Sequence, residues 1–289
     1  DCAGVREENV ILTATHSHSG FYADNPEFES WYGEEFTRKI RIYKQYLRDI
    51  MAKTVKEAVS NLRPAKMGVI KSSCYLNVNR NEKELGPKAG TYGFRVDGPT
   101  DRDLYLVRFD DENGEPIALL YNYAVHACMM IHNDPEGLGT EISGDLPGRA
   151  CRIIEKAWDD KAIVMFTSGA AGDLNPIMMA RVNIVEPDGQ IITKDLGAAG
   201  PIILEFMGNR LARDVMTANS RLVCYTEYDN LGADKESFFV SADAVTKPGN
   251  TEPVEFRVGL MMLGDLAIVS TNGEIFNTIG QRLKADSPY

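Results

Sequence analysis

The chain alternates between short apolar runs, which predict strands, and longer stretches with apolar residues at helical spacing. Helical spacing extends over 33–62, until Arg63-Pro64 ends it. Asp-Glu-Asn-Gly at 111–114 predicts a hairpin turn, and Asp145 is predicted as the N-cap of a helix. The predicted strands are 9–15, 66–76, 103–110, 116–126, 162–167, 221–229, 237–246, 254–262 and 266–270; the predicted helices are 33–62, 145–158, 201–218 and 273–284, and 181–200 is predicted as an irregular loop.

This order of elements predicts an α/β fold, with mixed β-sheets flanked by helices in a single large domain over residues 1–289. No internal repeat and no Pro/Gly/Ser-rich linker divides the sequence. The chain begins at Asp1, directly before a predicted strand, and stops at Tyr289, soon after a predicted helix. We therefore expect a longer protein that continues at both ends, with a signal peptide or an anchor as candidate additions.

The net charge of −11 argues against a nucleic-acid partner, because such surfaces need clustered Lys and Arg. A small neutral or amphiphilic substrate remains compatible with this charge. No apolar run of 18 residues predicts a membrane span. The five Cys contain no Cys-x-x-Cys pair, and their odd number weakly favours reduced thiols, hence a cytoplasmic location or a periplasm with few disulfides.

Four of the predicted strands end in polar residues of catalytic type. In α/β sheets, sites form where strand ends converge, so we expect these residues to meet. Within a strand, residues i and i+2 share a face, which would direct both histidines of the first strand to one site. The residues are His16 and His18 after the first strand, His126 after the strand at 116–126, Asp173 and Asn175 in the turn after 162–167, and Glu274 after the last strand.

Each of these residues alone has an ordinary structural explanation. A lone histidine is more often hydrogen-bonded in the core, Gly-Asp-Leu-Asn-Pro is a common turn composition, and Glu274 suits a helix N-terminus. Their occurrence together at four strand ends favours a catalytic metal site instead. Two or three His with one Glu are typical ligands of Zn²⁺. His132 is predicted to lie in a loop, and a role in the site is the less favoured alternative.

Six motifs occur in the order seen in the neutral/alkaline non-lysosomal ceramidases, and the chain resembles the N-terminal catalytic domain of that family over nearly its whole length. The motifs are Thr-Ala-Thr-His-Ser-His-Ser-Gly at 13–20, Asn-Arg at 79–80, Asn-Tyr-Ala-Val-His at 122–126, Ser-Gly-Asp at 143–145, Gly-Asp-Leu-Asn-Pro at 172–176 and Gly-Glu at 273–274.

The resemblance implies a Zn²⁺ enzyme that hydrolyses the amide bond of ceramide, with a secreted or periplasmic location. The family holds its metal with two His, a Glu and a Tyr. Carried over, this implies His16, His126 and Glu274 as zinc ligands and His18 as a substrate or oxyanion contact beside the metal. Substrate binding is expected from Asn79, Arg80 and Gly172, with Arg80 near the polar head of the substrate.

The sequence departs from the family pattern in four respects. The tyrosine ligand of the family would lie beyond Tyr289, and the C-terminal immunoglobulin-like domain of full-length ceramidases is missing. Phe21 replaces the Pro that usually follows the histidine motif. Asn175 stands where the family has a Ser proposed as a nucleophile, and an amide cannot take that role. These differences indicate a ceramidase-like branch whose substrate need not be ceramide.

Without that Ser, the simplest mechanism is attack of a metal-activated water on an amide or ester carbonyl. His18, Asp173 and Asn175 are the predicted catalytic residues, and the backbone N–H groups around Gly172 would orient the carbonyl or the leaving group. Two alternatives stay open: an amidase or esterase for a soluble acylated metabolite, and a metal-binding domain without catalysis. The oligomeric state is left open.

Overall fold

The structure is a computed structural model, and it describes residues 4–20, 28–81, 93–188, 190–225, 231–241 and 252–289. Four helices lie in this part of the chain, after a short 3₁₀ turn at Glu7–Asn9. None of the helices described is long and apolar enough to cross a membrane. The helices are α1 (Phe28–Ser60), α2 (Asp145–Ala157), α3 (Ala199–Asn219) and α4 (Asn277–Asp286).

Eleven strands are described, in four sheets. The largest sheet has the strand order β1-β3-β4-β5, a second has the order β11-β10-β9, and β2-β6 and β7-β8 form two-stranded sheets. The strands are β1 (Lys66–Ser73), β2 (Asn77–Asn79), β3 (Asp103–Asp110), β4 (Pro116–Tyr123), β5 (Ile163–Ser168), β6 (Leu174–Pro176), β7 (Arg181–Val185), β8 (Ile191–Asp195), β9 (Leu231–Val240), β10 (Val254–Leu263) and β11 (Leu266–Thr271).

The main core lies between the largest sheet and helices α2 and α3. Strand β4 buries every second side chain, namely Leu119, Tyr121 and Tyr123, which is the alternation expected of a strand with one face on a core. The antiparallel pair β3-β4 follows the predicted hairpin, and β4 pairs in parallel with β5, with α2 in the connection between them. The carboxyl ends of β4 and β5 therefore meet at one edge of the sheet, with Tyr123 opposite Ser168.

The mixed α/β class predicted from the sequence is confirmed, and several predicted boundaries are wrong. Residues 10–15 form no strand, and the Leu12 side chain is mostly exposed. In the described residues the first bridge comes only at Ser17, which pairs with Ala127. The predicted loop at 181–200 contains the hairpin β7-β8, in which Ile184 faces Ile192. Helix α4 begins at Asn277, four residues after the predicted start at 273, so Glu274 lies in a loop.

The predicted strands at 221–229 and 237–246 are also displaced. Residues 222–224 form no strand, and Tyr225 makes one bridge to Met67. The observed strand is β9, and the remainder of both predictions, 226–229 and 242–246, lies outside the described residues. The apolar runs identify the strands of the main sheet well because one face of these strands is buried. Strand β9 is largely exposed, so its apolar residues do not mark its bounds.

Candidate active site

The segment that carries His16 and His18 is attached to the edge of the main sheet by backbone contacts. The His18 N–H donates to the Ala127 carbonyl over 2.8 Å. The Ser17 hydroxyl donates to the Ser143 carbonyl over 2.8 Å, and the Ser143 N–H donates back to the Ser19 carbonyl over 2.9 Å. The two histidines are thus held against the residues that follow β4 and those that precede α2.

His16 has a left-handed backbone conformation, with φ of 58°. The strand geometry expected for His16 and His18 is therefore wrong, since a left-handed residue interrupts extended backbone. The two rings nevertheless meet: their Nε2 atoms lie 3.1 Å apart. The turn at His16 and the hydrogen bond from His18 to Ala127 thus bring the two rings to one site, as was expected from strand alternation.

His126 completes a cluster of three imidazoles. Its Nε2 lies 3.1 Å from Nε2 of His16. The candidate ligand atoms of His16, His18 and His126 all lie within 4.8 Å of one another. His126 is buried, His16 is partly buried and His18 is exposed. The cluster therefore has a protein-facing side and a side that solvent or a substrate can reach.

Glu274 reaches the same point from the loop between β11 and α4. Its Oε1 lies 3.2 Å from Nε2 of His16, and its Oε2 lies 3.4 Å from Nε2 of His126. The Glu274 side chain is 53% exposed, in contrast to 2% for His126. The structure therefore brings together all three predicted metal ligands, and it adds His18 at an equally short distance.

The buried histidine is neutral and correctly oriented for binding a metal. Its Nδ1 lies 2.6 Å from the Ala171 carbonyl, which can only accept, so Nδ1 holds the proton and Nε2 presents a lone pair. Burial, with the nearby charge of Arg80, lowers the pKa of His126 to about 3. Burial, and then the neighbouring His16, lower the pKa of His18. Neutral imidazoles beside a carboxylate match the donors that Zn²⁺ prefers, and the Ala171 carbonyl is a typical outer partner.

Arg80 lies beside this cluster and joins it to the turn after β5. Its Nη2 donates to the Gly172 carbonyl over 2.5 Å and lies 3.8 Å from Oε2 of Glu274. Its Nη1 donates to Oδ1 of Asn175 over 3.4 Å. The guanidinium is mostly buried, so a positive charge is held at the edge of the cluster.

Asp173 and Asn79 are hydrogen-bonded to each other and to other protein groups. The Asp173 carboxylate accepts from the Asn277 N–H over 2.8 Å, from the Asn277 side-chain amide over 2.6 Å and from Asn79 Nδ2 over 3.1 Å. The Gly172 N–H donates to the Ile275 carbonyl over 2.9 Å. These contacts link the turn after β5 to the loop that carries Glu274, while the catalytic and binding roles expected of Asp173, Asn79 and Gly172 stay predictions.

Asn175 is buried in β6, with its two amide atoms in different surroundings. Its Oδ1 accepts from Arg80 and lies 3.5 Å from the Cys128 thiol. Its Nδ2 faces Met179 Sδ at 3.7 Å, and a thioether is a weak acceptor. The donor Nδ2 of Asn175 therefore has only a weak acceptor, the Met179 sulfur, as its partner. His132 is exposed and lies outside the three-histidine cluster.

Two supporting residues were not identified as such from the sequence: Asn277 and Asp145. Asp145 was predicted as an N-cap, but it is the first residue of α2, and Gly144 occupies the cap position. Its buried carboxylate accepts from the N–H groups of Met129, Met130 and Leu146 over 3.0, 2.8 and 2.7 Å. The Ser-Gly-Asp motif at 143–145 was the sequence signal that could have identified Asp145. Ser143 is hydrogen-bonded to the segment that carries His16, and Asp145 is hydrogen-bonded to the chain that follows His126.

We expect Asp145→Asn to destabilise the fold by about 2 kcal/mol, because an amide group would turn one donor toward backbone N–H groups that now meet a carboxylate. Urea unfolding followed by circular dichroism measures this change. Asp160→Asn is the matched control, since Asp145 and Asp160 both have a positive φ, of 55° and 58°, but Asp160 is exposed on the surface. Equal losses for the two variants would show that the buried carboxylate has no special role.

Fold and site together define an α/β protein with a candidate metal centre of three histidines and one glutamate beside a buried arginine. The N-terminal region that characterises the neutral/alkaline non-lysosomal ceramidases matches residues 4–190 of this chain. The chain therefore belongs to the neutral/alkaline non-lysosomal ceramidase family, as its motifs indicated.

Individual relatives are more distant and much longer. Neutral ceramidase B of Dictyostelium discoideum is 27% identical over 181 residues, which is 59% of this chain and 24% of that protein. Neutral ceramidase A of the same organism is 25% identical over 181 residues, 58% of this chain and 24% of that protein. The chain thus spans about a quarter of the length of these curated relatives.

Solved structures share the fold at low sequence identity. A structure described as "Ceramidase complexed with C2" matches with a TM-score of 0.66 and 15% identity, over 98% of this chain and 53% of that one. The neutral ceramidase from Pseudomonas aeruginosa matches with a TM-score of 0.54 and 14% identity, over 82% of this chain and 45% of that one. The mixed α/β architecture is therefore that of the ceramidases.

Proposed function

We propose that this chain forms a zinc-dependent hydrolase site that cleaves the amide bond of an N-acyl lipid with water. The observation that carries the proposal is the convergence of three histidine Nε2 atoms and the Glu274 carboxylate on one point, in a member of the ceramidase family. Imidazole nitrogens grouped with a carboxylate are the ligand atoms that Zn²⁺ prefers in proteins.

In this proposal His16, His126 and Glu274 hold the metal. When bound, Zn²⁺ supplies Lewis-acid activation of water and of a carbonyl oxygen. His126 offers an Nε2 that is unprotonated at neutral pH, and the Ala171 carbonyl fixes its ring. Glu274 adds the negative charge that partly neutralises the ion, and its exposed side leaves access for a substrate.

His18 is assigned to the substrate side of the site. It is the most exposed of the three rings, so an incoming carbonyl group meets it first. Because the pKa of His18 is lowered, the ring is neutral at pH 7 and donates from one nitrogen. Such a donor stabilises the negative charge that develops on the carbonyl oxygen as water attacks.

Arg80 and Asn175 complete the polar surroundings of the reacting group. The Arg80 guanidinium places a fixed positive charge 3.8 Å from Glu274, where it also attracts the polar head of a substrate. Asn175 donates from Nδ2, whose present partner is only a thioether, and so it orients the carbonyl or the leaving amine. An amide side chain forms no acyl intermediate, so water is the nucleophile in this proposal.

The test is hydrolysis by the purified chain after removal of metal with a chelator and after addition of one equivalent of Zn²⁺. We expect release of fatty acid from N-acyl sphingosine in detergent micelles, lost on chelation and restored by zinc. A short N-acyl amino acid serves as the soluble comparison substrate. Hydrolysis of the soluble amide alone would reassign the substrate class, and bound zinc without hydrolysis of either compound would support a domain without catalysis.

A further inference from the structure

We propose that Asn277 is a positioning residue, which acts through Asp173 to hold Glu274 against the three histidines. The inference rests on the proposed function for the statement that Glu274 is a metal ligand. Asn277 is completely buried at the start of α4, three positions after Glu274 in the chain. A ligand on a loop needs such support, because metal sites require side chains held by surrounding contacts.

The pair Asn277 and Asp173 joins two segments that are 104 positions apart in the sequence. The Asn277 N–H donates to one Asp173 carboxylate oxygen over 2.8 Å, and the Asn277 side-chain amide donates to the other over 2.6 Å. The side-chain Oδ1 of Asn277 accepts from the Gln281 side-chain amide over 2.6 Å, one turn further along α4. Every polar group of the Asn277 side chain is therefore engaged, and the orientation of the amide is determined.

The turn that carries Asp173 also supports His126. The Ala171 carbonyl accepts from Nδ1 of His126, and the Gly172 N–H donates to the Ile275 carbonyl next to Glu274. Residues 171–173 thus contact His126 on one side and the loop at 272–276 on the other. Because Asn277 fixes that loop to this turn, it sets the position of Glu274 relative to His126 rather than the stability of α4 alone.

The chemistry of the contact makes Asn277→Asp the decisive variant. The substitution keeps the shape of the side chain but replaces a donor with a carboxylate beside Asp173. Two like charges in a buried contact repel, so the loop should separate from the turn. Asn277→Ala removes the side-chain bond without adding charge and should give a smaller effect in the same direction. If Asn277→Asp fails to fold, Asn277→Ala is judged by the same criteria.

Asn209→Asp is the matched control. Asn209 lies on the exposed face of α3, and its amide donates to a Glu205 carboxylate oxygen over 2.8 Å. The same substitution therefore again creates a pair of acidic side chains. This pair lies on a different helix and has no contact with the loop at 272–276. Any general effect of an added negative charge on metal binding would therefore appear in both variants.

The experiment combines hydrogen exchange of the metal-free protein with the Zn²⁺ affinity measured by chelator competition and the absorption spectrum of bound Co²⁺. We expect Asn277→Asp to lose exchange protection over 272–279, to weaken zinc binding about 10–100-fold and to change the Co²⁺ spectrum, whereas Asn209→Asp does none of these. Unchanged protection, or lost protection with zinc affinity equal to that of the wild type, would overturn the inference. A wild type that binds no zinc would reject the proposed function instead, and the exchange data alone would then decide whether Asn277 holds the Glu274 loop.

Discussion

His126→Ala is expected to abolish stoichiometric zinc binding and with it hydrolysis. The substitution removes the one buried donor of the cluster, whose neutral state and orientation are set by burial and by the Ala171 carbonyl. Changes to outer partners of metal ligands typically cost about 10–100-fold in affinity, so loss of a ligand itself should exceed about 100-fold. Metal analysis of the dialysed protein and the zinc-dependent release of fatty acid measure the two effects.

Two further histidine variants show whether the loss is specific. His132→Ala should leave the zinc content unchanged, because His132 lies outside the cluster. His18→Ala should keep the metal and lower kcat by about 100–1000-fold, the usual loss when an oxyanion donor is removed. Loss of zinc in His18→Ala would show that His18 is a ligand. Full zinc content in His126→Ala would contradict the proposed ligand set.

Gly172→Ala is expected to reduce activity strongly although it adds only one methyl group. A Cβ at this position would lie 2.8 Å from the Glu274 carbonyl oxygen and 2.8 Å from Cδ1 of Phe276. A backbone carbonyl cannot move aside without displacing Glu274 itself. We expect overpacking to cost about 1–3 kcal/mol in stability and zinc affinity to fall by about 10-fold or more, measured by urea unfolding and by chelator competition.

Gly148→Ala is the control for this substitution. Gly148 lies inside α2, and apart from its chain neighbours and the nearby backbone of its own helix no atom lies within 4 Å of the added Cβ. Because Ala has a higher helix propensity than Gly, we expect the variant to gain up to about 1 kcal/mol in stability and to keep wild-type zinc affinity. A Gly172→Ala protein that behaved in the same way would show that the close approach to Glu274 has no consequence for the site.

The main sheet and its helices could be predicted from the sequence because their local pattern and their burial agree. Strand β4 alternates buried and partly exposed residues, and the Asp-Glu-Asn-Gly turn precedes it. The observed bounds of α2 and α3 differ from the predicted bounds by at most two residues. The prediction was wrong where a segment has an apolar composition but is not buried in a sheet. The apolar residues of 10–15 suggest a strand, but a strand requires a partner, and in the described part of the chain the first bridge comes only at Ser17.

The sequence by itself determined which residue types are available for chemistry and in which order they follow the strands. The few histidines and the polar residues after the predicted strands indicated the candidates, and the resemblance to the ceramidases implied His16, His126 and Glu274 as the ligands. Only the tertiary structure decided how these side chains meet. The left-handed turn at His16, the carboxylate of Asp145 and the contact of Asn277 with Asp173 all depend on segments far apart in the chain, and no local pattern encodes such pairings.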